Sequence, residues 1–211
     1  MLITPRRIAH RNYLAAKSEF LQLVMGCPGD LVILLVGGTR VGKSEIFAEV
    51  MRACSATLSA PGPDLMPVVG FRIVTSKDGR VSQKFVSLKL LKELRHPMYR
   101  RYAAFDSEDR YQPKGSTDET TLRLAIDEGL SFRETSRIGI DELHHATHTG
   151  NEKLRADLLS SLKCIASPGR TFFGAGGYEL LYRGAFDSAH FAGRLVIVDF
   201  PCYSTSAADL E

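Results

Sequence analysis

The residues Leu31-Val32-Ile33-Leu34-Leu35-Val36 form a continuous apolar run, and Gly37-Gly38-Thr39-Arg40-Val41-Gly42-Lys43-Ser44 follows it without a gap. Residues 43–58 then carry apolar side chains at helical spacing. A buried strand, a glycine-bracketed turn and a helix in immediate succession restrict the chain to α/β architectures. The octapeptide fits the phosphate-loop pattern G-x-x-x-x-G-K-[ST], in the strand-to-helix setting that gives the pattern its meaning. The glycines let the backbone turn so that its N–H groups converge on an anion. The helix that follows presents the positive end of its dipole to the same point. Lys43 reaches the β- and γ-phosphates of a nucleoside triphosphate, and the Ser44 hydroxyl ligates Mg²⁺. Gly37, Gly38, Thr39, Arg40, Val41, Gly42, Lys43 and Ser44 are therefore the expected ATP-binding set, with Mg²⁺ as its companion. At ordinary residue frequencies a chain this long meets the pattern by chance on the order of 1% of the time, and the flanking strand and helix lower that further.

Four further apolar runs repeat the theme: Pro67–Val74, Arg137–Asp141, Arg170–Ala175 and Leu195–Phe200. Their near-continuous Val, Ile, Leu and Phe predict strands covered on both faces. Helical periodicity lies between them at Lys43–Leu58, Ser82–Leu94, Thr117–Phe132 and Asn151–Ile165, the last with Asn151 as its cap. The expected fold is α/β, a mostly parallel five-stranded sheet flanked by helices. An earlier helix, Ile8 to Val24, would bury Ile8, Tyr13, Leu14, Phe20, Leu21 and Val24. Arg95 to Thr117 holds Pro97, Pro113, Gly115 and many charges, the composition of a surface insertion. One domain spanning 1–211 is expected, with an N-terminal helical segment at 1–27, a nucleotide-binding core at 28–203 and the insertion at 95–117.

The third run ends in two acids, Asp141-Glu142. At the tip of a strand beside the phosphate-loop strand, Asp141 would hold Mg²⁺ with Ser44. Glu142 would polarise the water that attacks the γ-phosphate. An ordinary acidic strand terminus is the plain alternative, and the upstream phosphate loop argues against it. A base placed next to the metal ligand points to hydrolysis, because a small-molecule kinase has to exclude water. His144 and His148 follow one α-helical turn apart, a spacing that can bind a metal, but no third ligand is evident. A polar face near the nucleotide is the expected role of His144, His145 and His148.

Bulk properties set the remaining limits. The 211 residues are 44% hydrophobic and 24% charged, an ordinary globular balance, with a net charge of +3. That mild basicity permits a nucleic-acid partner through a local patch. Cys27, Cys54, Cys164 and Cys202 form no C-x-x-C pair, and Cys54 and Cys164 lie in helical stretches as expected small buried residues. A reducing cytoplasm is the expected location. No apolar run is long enough to span a bilayer, so no membrane partner is expected.

Taken with these features, the sequence resembles the TniB/TnsC-type AAA+ ATPases, which regulate DNA transposition. Four segments carry the resemblance: Leu31–Ser44; Asp141-Glu142-Leu143-His144-His145, similar to an Asp-Glu-Ala-His-His Walker B; Phe172–Leu181; and Gly193–Tyr203, similar to a fifth strand ending Phe-Pro-Arg-Tyr. The resemblance implies an ATPase that oligomerises with ATP, as ring or filament, on double-stranded DNA and recruits or activates a transposase. Two departures stand out. The polar residue that senses the γ-phosphate in this family falls at Gly177, which implies slow hydrolysis or another group in its place. The family's helical lid is not legible, since the sequence ends at Glu211 shortly after the fifth strand; a naturally short member and a truncation both account for that.

By the same resemblance, DNA is met by the region after the second strand, here Thr75, Ser76, Lys77, Arg80 and Lys84. These are phosphate-contacting types without aromatic residues, which implies binding to the backbone without sequence readout. A solvated turn is the plain reading of that stretch, and Arg95, Arg100 and Arg101 are the alternative surface. Arg194, just before the fifth strand, stands where similar proteins carry an arginine finger for a neighbouring subunit, with Arg183 as the alternate. A stand-alone P-loop kinase and a non-hydrolysing ATP-binding scaffold are the competing readings.

Overall fold

The computed structural model describes residues 10–58, 62–74, 81–97, 99–105, 111–113, 118–148, 161–162, 164–166, 169–182 and 193–203. Helix α1 (Arg11–Gly26) leads into β1 (Val32–Gly37), and the phosphate loop joins β1 to α2 (Lys43–Thr57). Then come β2 (Val68–Arg72), α3 (Gln83–Glu93), a short α4 (Tyr99–Tyr102), the strands β3 (Ala103–Phe105) and β4 (Tyr111–Pro113), and α5 (Glu119–Phe132). Strand β5 (Arg137–Asp141) runs into a 3₁₀ turn (Leu143–His148), followed by β6 (Thr171–Gly176), α6 (Glu179–Tyr182) and β7 (Leu195–Phe200). The main sheet has five strands in the order β2-β5-β6-β1-β7, and every pairing is parallel. All five C-terminal ends therefore lie along one edge, where ligands bind in open α/β sheets.

The alternation of β1 explains why the chain buries this strand so thoroughly. Val32, Leu34 and Val36 join one core with Leu88, Leu91, Leu122, Ile126 and Leu130 of α3 and α5. Ile33 and Leu35 point the other way, to Phe20 and Val24 of α1 and to Ile46, Phe47, Val50 and Cys54 of α2. A period of two sends alternate residues to opposite faces, so an all-apolar strand requires a helical layer on each. Phe173 of β6 packs between Phe20 and Phe47, with ring centroids 6.0 and 5.6 Å away. Each such buried phenylalanine contributes about 1.5–3 kcal/mol.

Gly70 and Gly139 are register partners on β2 and β5, and both lie under Met51 of α2. A Cβ at either position would come within 2.9 Å of the Met51 side chain, so glycine is what lets α2 lie so close to the sheet. At the far edge Arg137 is buried, and its guanidinium donates to the carbonyls of Val24, Met25, Cys27 and Ser136. Those bonds tie the end of α1 to the start of β5.

Several expectations need correction. Strand β5 does not lie beside β1; β6 is inserted between them, because β1 finds its two partners in β6 and β7. Covering on both faces holds for β1, β5 and β6 but not for the edge strand β7, whose Ile197 is 43% exposed. Leu14 is 48% exposed, and the buried stripe of α1 is Ala16, Phe20 and Val24. Cys54 is buried as expected, whereas Cys164 is exposed. Helix α5 starts at Glu119, with Asp118 as its cap. The stretch read as an irregular insertion holds α4 and an antiparallel β3–β4 pair. Asn151 and most of the helix expected at 151–165 lie outside the described residues, as do Ile8, Arg183 and residues 75–80. No helix among the described residues is long and apolar enough to cross a membrane.

Candidate nucleotide site

The loop between β1 and α2 takes two left-handed residues, Arg40 at φ 64° and Gly42 at φ 108°. A Cβ at Gly42 would be strained there, which is the physical reason for the second glycine of the motif. Gly42 caps α2 without a side-chain bond, its carbonyl accepting from the N–H groups of Glu45 and Ile46, and the helix N-terminus faces the loop. Lys43 curls back instead, its Nζ donating to the Gly37 carbonyl at 3.0 Å and to the Gly38 carbonyl. Burial lowers the Lys43 pKa, while the negative groups of Glu142, Glu179, Asp141 and Cys202 oppose that shift. A half-buried ammonium facing several acids is poised for an anion carrying its own cation.

Asp141 is 6% exposed at the end of β5. Burial raises its pKa, partly offset by hydrogen bonds from the Ser44 hydroxyl and the Glu142 N–H. The hydroxyl and carboxylate that the sequence suggests for Mg²⁺ therefore touch each other across the intervening β6. An oxygen pair in hydrogen-bond contact at a helix N-terminus fits a hard cation bound through few protein ligands.

Glu142 turns the chain sharply, at φ 57°, from β5 into the 3₁₀ turn. Its Oε1 accepts from Arg72 Nη2 at 2.7 Å, and its Oε2 lies 3.3 Å from His144 Nδ1. The turn is anchored by Leu143 and Ala146, both buried. At three residues per turn those two share a face, which leaves His144 and His145 together on the opposite side. The rings that meet are the consecutive His144 and His145, with centroids 4.3 Å apart, while the His148 side chain lies outside the described residues.

A cavity of about 480 Å³ opens between these parts, bounded by Thr39, Arg40, Gly42, Lys43, Ser44, Glu45, Glu142, His144, His145, Gly177 and Glu179. Its size suits a small ligand such as a nucleotide. The sequence reading left Gly177 without a polar group. In the structure a Cβ on Gly177 would sit 1.9 Å from Glu179 Oε2, so the Glu179 carboxylate fills the space a side chain there would take. Glu179, Arg72 and Tyr203 are the site residues that sequence reasoning missed. Tyr203 donates to the Val41 carbonyl at 3.1 Å and stacks edge-on against His10, fastening the chain after β7 to the phosphate loop. Glu179 carried a signal, since it lies in the Gly177-Tyr178-Glu179 stretch that supports the family resemblance. Arg72 could be found only from the sheet order, which pairs it with Asp141.

The other expected residues lie apart. Arg194 is exposed at the opposite edge of the sheet, its carbonyl accepting from Val32 N. Strand β7 then runs from Leu195, opposite Val32, to Phe200, opposite Gly37. At about 3.3 Å per residue the strand places Arg194 about 20 Å from its own phosphate loop. Lys84 is half-buried in the first turn of α3, whereas Thr75, Ser76, Lys77 and Arg80 lie outside the described residues.

This arrangement of five parallel strands, helices on both faces and a phosphate loop after β1 is the fold of AAA+ ATPases. The ORC2 protein of Aeropyrum pernix, solved as ADPNP-ADP complexes, matches with TM-score 0.62 and 13% identity over 96% of this chain and 50% of that one. The ORC1 protein of the same organism, in complex with DNA, matches with TM-score 0.61 and 14% identity, covering 94% and 47%. A Walker-type ATPase of Pyrococcus abyssi matches with TM-score 0.56 and 13% identity over 97% and 59%. The chain thus spans about half the length of these proteins. No protein-family model matches the chain, and neither does any curated protein.

Proposed function

We propose that the protein is an ATP-hydrolysing, DNA-binding regulator of transposition that oligomerises with ATP on double-stranded DNA and recruits or activates a transposase. The observation that carries the ATPase part is the meeting of Lys43, Ser44 and Glu142 around one cavity at the C-terminal edge of the sheet, with Asp141 hydrogen-bonded to Ser44 beside it. Lys43 exchanges the Gly37 and Gly38 carbonyls for the β- and γ-phosphates. Ser44 and Asp141 would hold Mg²⁺, which supplies charge neutralisation at the phosphates when bound. Glu142 accepts the proton of the attacking water as the water oxygen bonds to the γ-phosphorus and the leaving oxygen departs with ADP. Arg194, too far from its own loop, serves the γ-phosphate of a neighbouring subunit.

The DNA part is supported by the ORC1 neighbour, solved with DNA, and by the basic stretch Lys77, Arg80 and Lys84 with Thr75 and Ser76. That stretch follows β2, whose end lies on the nucleotide edge, so ATP and DNA would be sensed by adjoining segments. Transposition rests on the sequence resemblance. In this reading residues 28–203 form the nucleotide-binding core of a single domain, with 1–27 as its helical preface, and the protein works in the cytoplasm.

Gel filtration with and without ATP and duplex DNA tests the assembly. The proposal requires a large species that needs both ligands and forms equally on unrelated sequences. A monomer indifferent to DNA would support a stand-alone kinase instead. An ATP-dependent assembly with no turnover would support a scaffold.

A further inference from the structure

Beside the phosphate site, Glu142, His144 and His145 each offer one ligand atom, and the three atoms lie within 4.8 Å of one another. We propose that these residues form a second cation site, selective for Zn²⁺-like transition metals, whose occupation switches off hydrolysis while leaving nucleotide binding in place.

The chemistry separates this site from the Mg²⁺ pair. Two imidazoles and one carboxylate are the donor set of three-ligand zinc centres, which keep a fourth position for water. Mg²⁺ prefers an all-oxygen shell and stays with Ser44 and Asp141. Geometry agrees with the assignment. Ligands about 2.1 Å from a tetrahedral ion stand about 3.4 Å apart. His144 Nδ1 and Glu142 Oε2 are already 3.3 Å apart. His145 offers its ligand atom within 4.8 Å of the other two, with its ring centroid 4.3 Å from that of His144. The backbone holds the set together, since Leu143 and Ala146 pin the 3₁₀ turn and aim both imidazoles at the cavity.

Two cations stand nearby. Arg72 occupies the other carboxylate oxygen, Oε1, so Oε2, which faces His144 Nδ1, is the oxygen that meets the ion. Lys43 faces the same acids, and Glu179 adds a compensating negative charge. An ion on Oε2 takes the oxygen pair that would accept the proton of the attacking water. This consequence rests on the reading of Glu142 as the base; the binding itself does not.

The test uses the full chain in Mg²⁺ buffer without nucleotide, with Co²⁺ as an optical probe and Zn²⁺ as competitor. The expected result is stoichiometric Co²⁺ binding displaced by Zn²⁺. In His144→Ala and His145→Ala, and in the milder His145→Gln, the affinity should fall by about 10-fold or more. His96→Ala serves as the distant control and should bind as wild type does. No binding by the wild type, or equal binding by the His144 and His145 variants, overturns the site. Hydrolysis at saturating Mg·ATP is then followed as free Zn²⁺ rises. Binding without inhibition overturns the switch. Absence of hydrolysis in wild type with Mg·ATP but without Zn²⁺ overturns the role of Glu142 instead and leaves the Co²⁺ result standing.

Discussion

Replacing Gly177 by serine should raise ATP turnover, and the structure sets both the cost and the gain. The Cβ of the new residue would meet Glu179 Oε2 at 1.9 Å and its Cδ at 3.0 Å. Both belong to the end of a flexible, exposed side chain, and Gly177 has no left-handed φ to strain. Moving such a group costs no more than about 0.5 kcal/mol of stability. The gain is a hydroxyl at the tip of β6, between the phosphate loop and the Asp141–Glu142 corner. A hydrogen bond to a charged group is worth about 1.5–3 kcal/mol, or roughly 10- to 100-fold in rate if made only in the transition state. Gly177→Ala displaces Glu179 equally and adds no donor, so the comparison isolates the hydroxyl. Steady-state phosphate release at saturating Mg·ATP should be about 10-fold or more faster in the serine variant than in the alanine variant. Equal rates in the two would refute the idea that this position faces the γ-phosphate.

Three other outcomes follow from the same geometry. Glu142→Gln should keep ATP binding and lower turnover by about 10²-fold or more, read by binding titration alongside phosphate release. Asp141→Asn should raise the melting temperature of the nucleotide-free protein at neutral pH while weakening Mg²⁺-dependent binding. The sign follows from burial, which raises the Asp141 pKa in the fold. Below the unfolded value near 3.8 the carboxyl is neutral in both states and costs nothing; the penalty grows as pH rises and is complete above the raised folded value. The advantage of the variant should therefore shrink as the pH is lowered, and a pH-independent difference would contradict it. Arg194→Ala should bind ATP normally yet hydrolyse it slowly, and mixing it with Lys43→Ala should restore activity at shared interfaces. No recovery despite normal oligomers would remove Arg194 from the active site.

The parts of the fold that were legible are those where one local rule decides. Strand β1 is apolar throughout and the loop after it is chemically distinctive, so residues 31–58 could be placed almost to the residue. Strand β5 was equally plain, but its position was not. Nothing in Arg137–Asp141 says that β6 would lie between it and β1, because sheet order is set by long-range packing. The same gap hid Arg72, whose meaning depends on which strand β2 joins. The segment after β5 was weighed with an α-helical period, whereas with Leu143 and Ala146 buried it forms a 3₁₀ turn, so the meeting of the His144 and His145 rings was not legible. Gly177 was read as a missing side chain, and a carboxylate two residues later filling its space is a rotamer effect that no pattern encodes.

The central claim is that Gly37–Ser44 binds ATP, and a calorimetric titration of Mg·ATP into wild type and Lys43→Ala tests it most directly. Lys43 Nζ donates to the Gly37 and Gly38 carbonyls of the loop itself, so its loss should leave the far-ultraviolet circular dichroism spectrum unchanged. Losing a charge-assisted contact to the β- and γ-phosphates removes about 3 kcal/mol, so affinity should drop by roughly 10²-fold or more. Unchanged ATP affinity in a folded Lys43→Ala protein would contradict the account at its base.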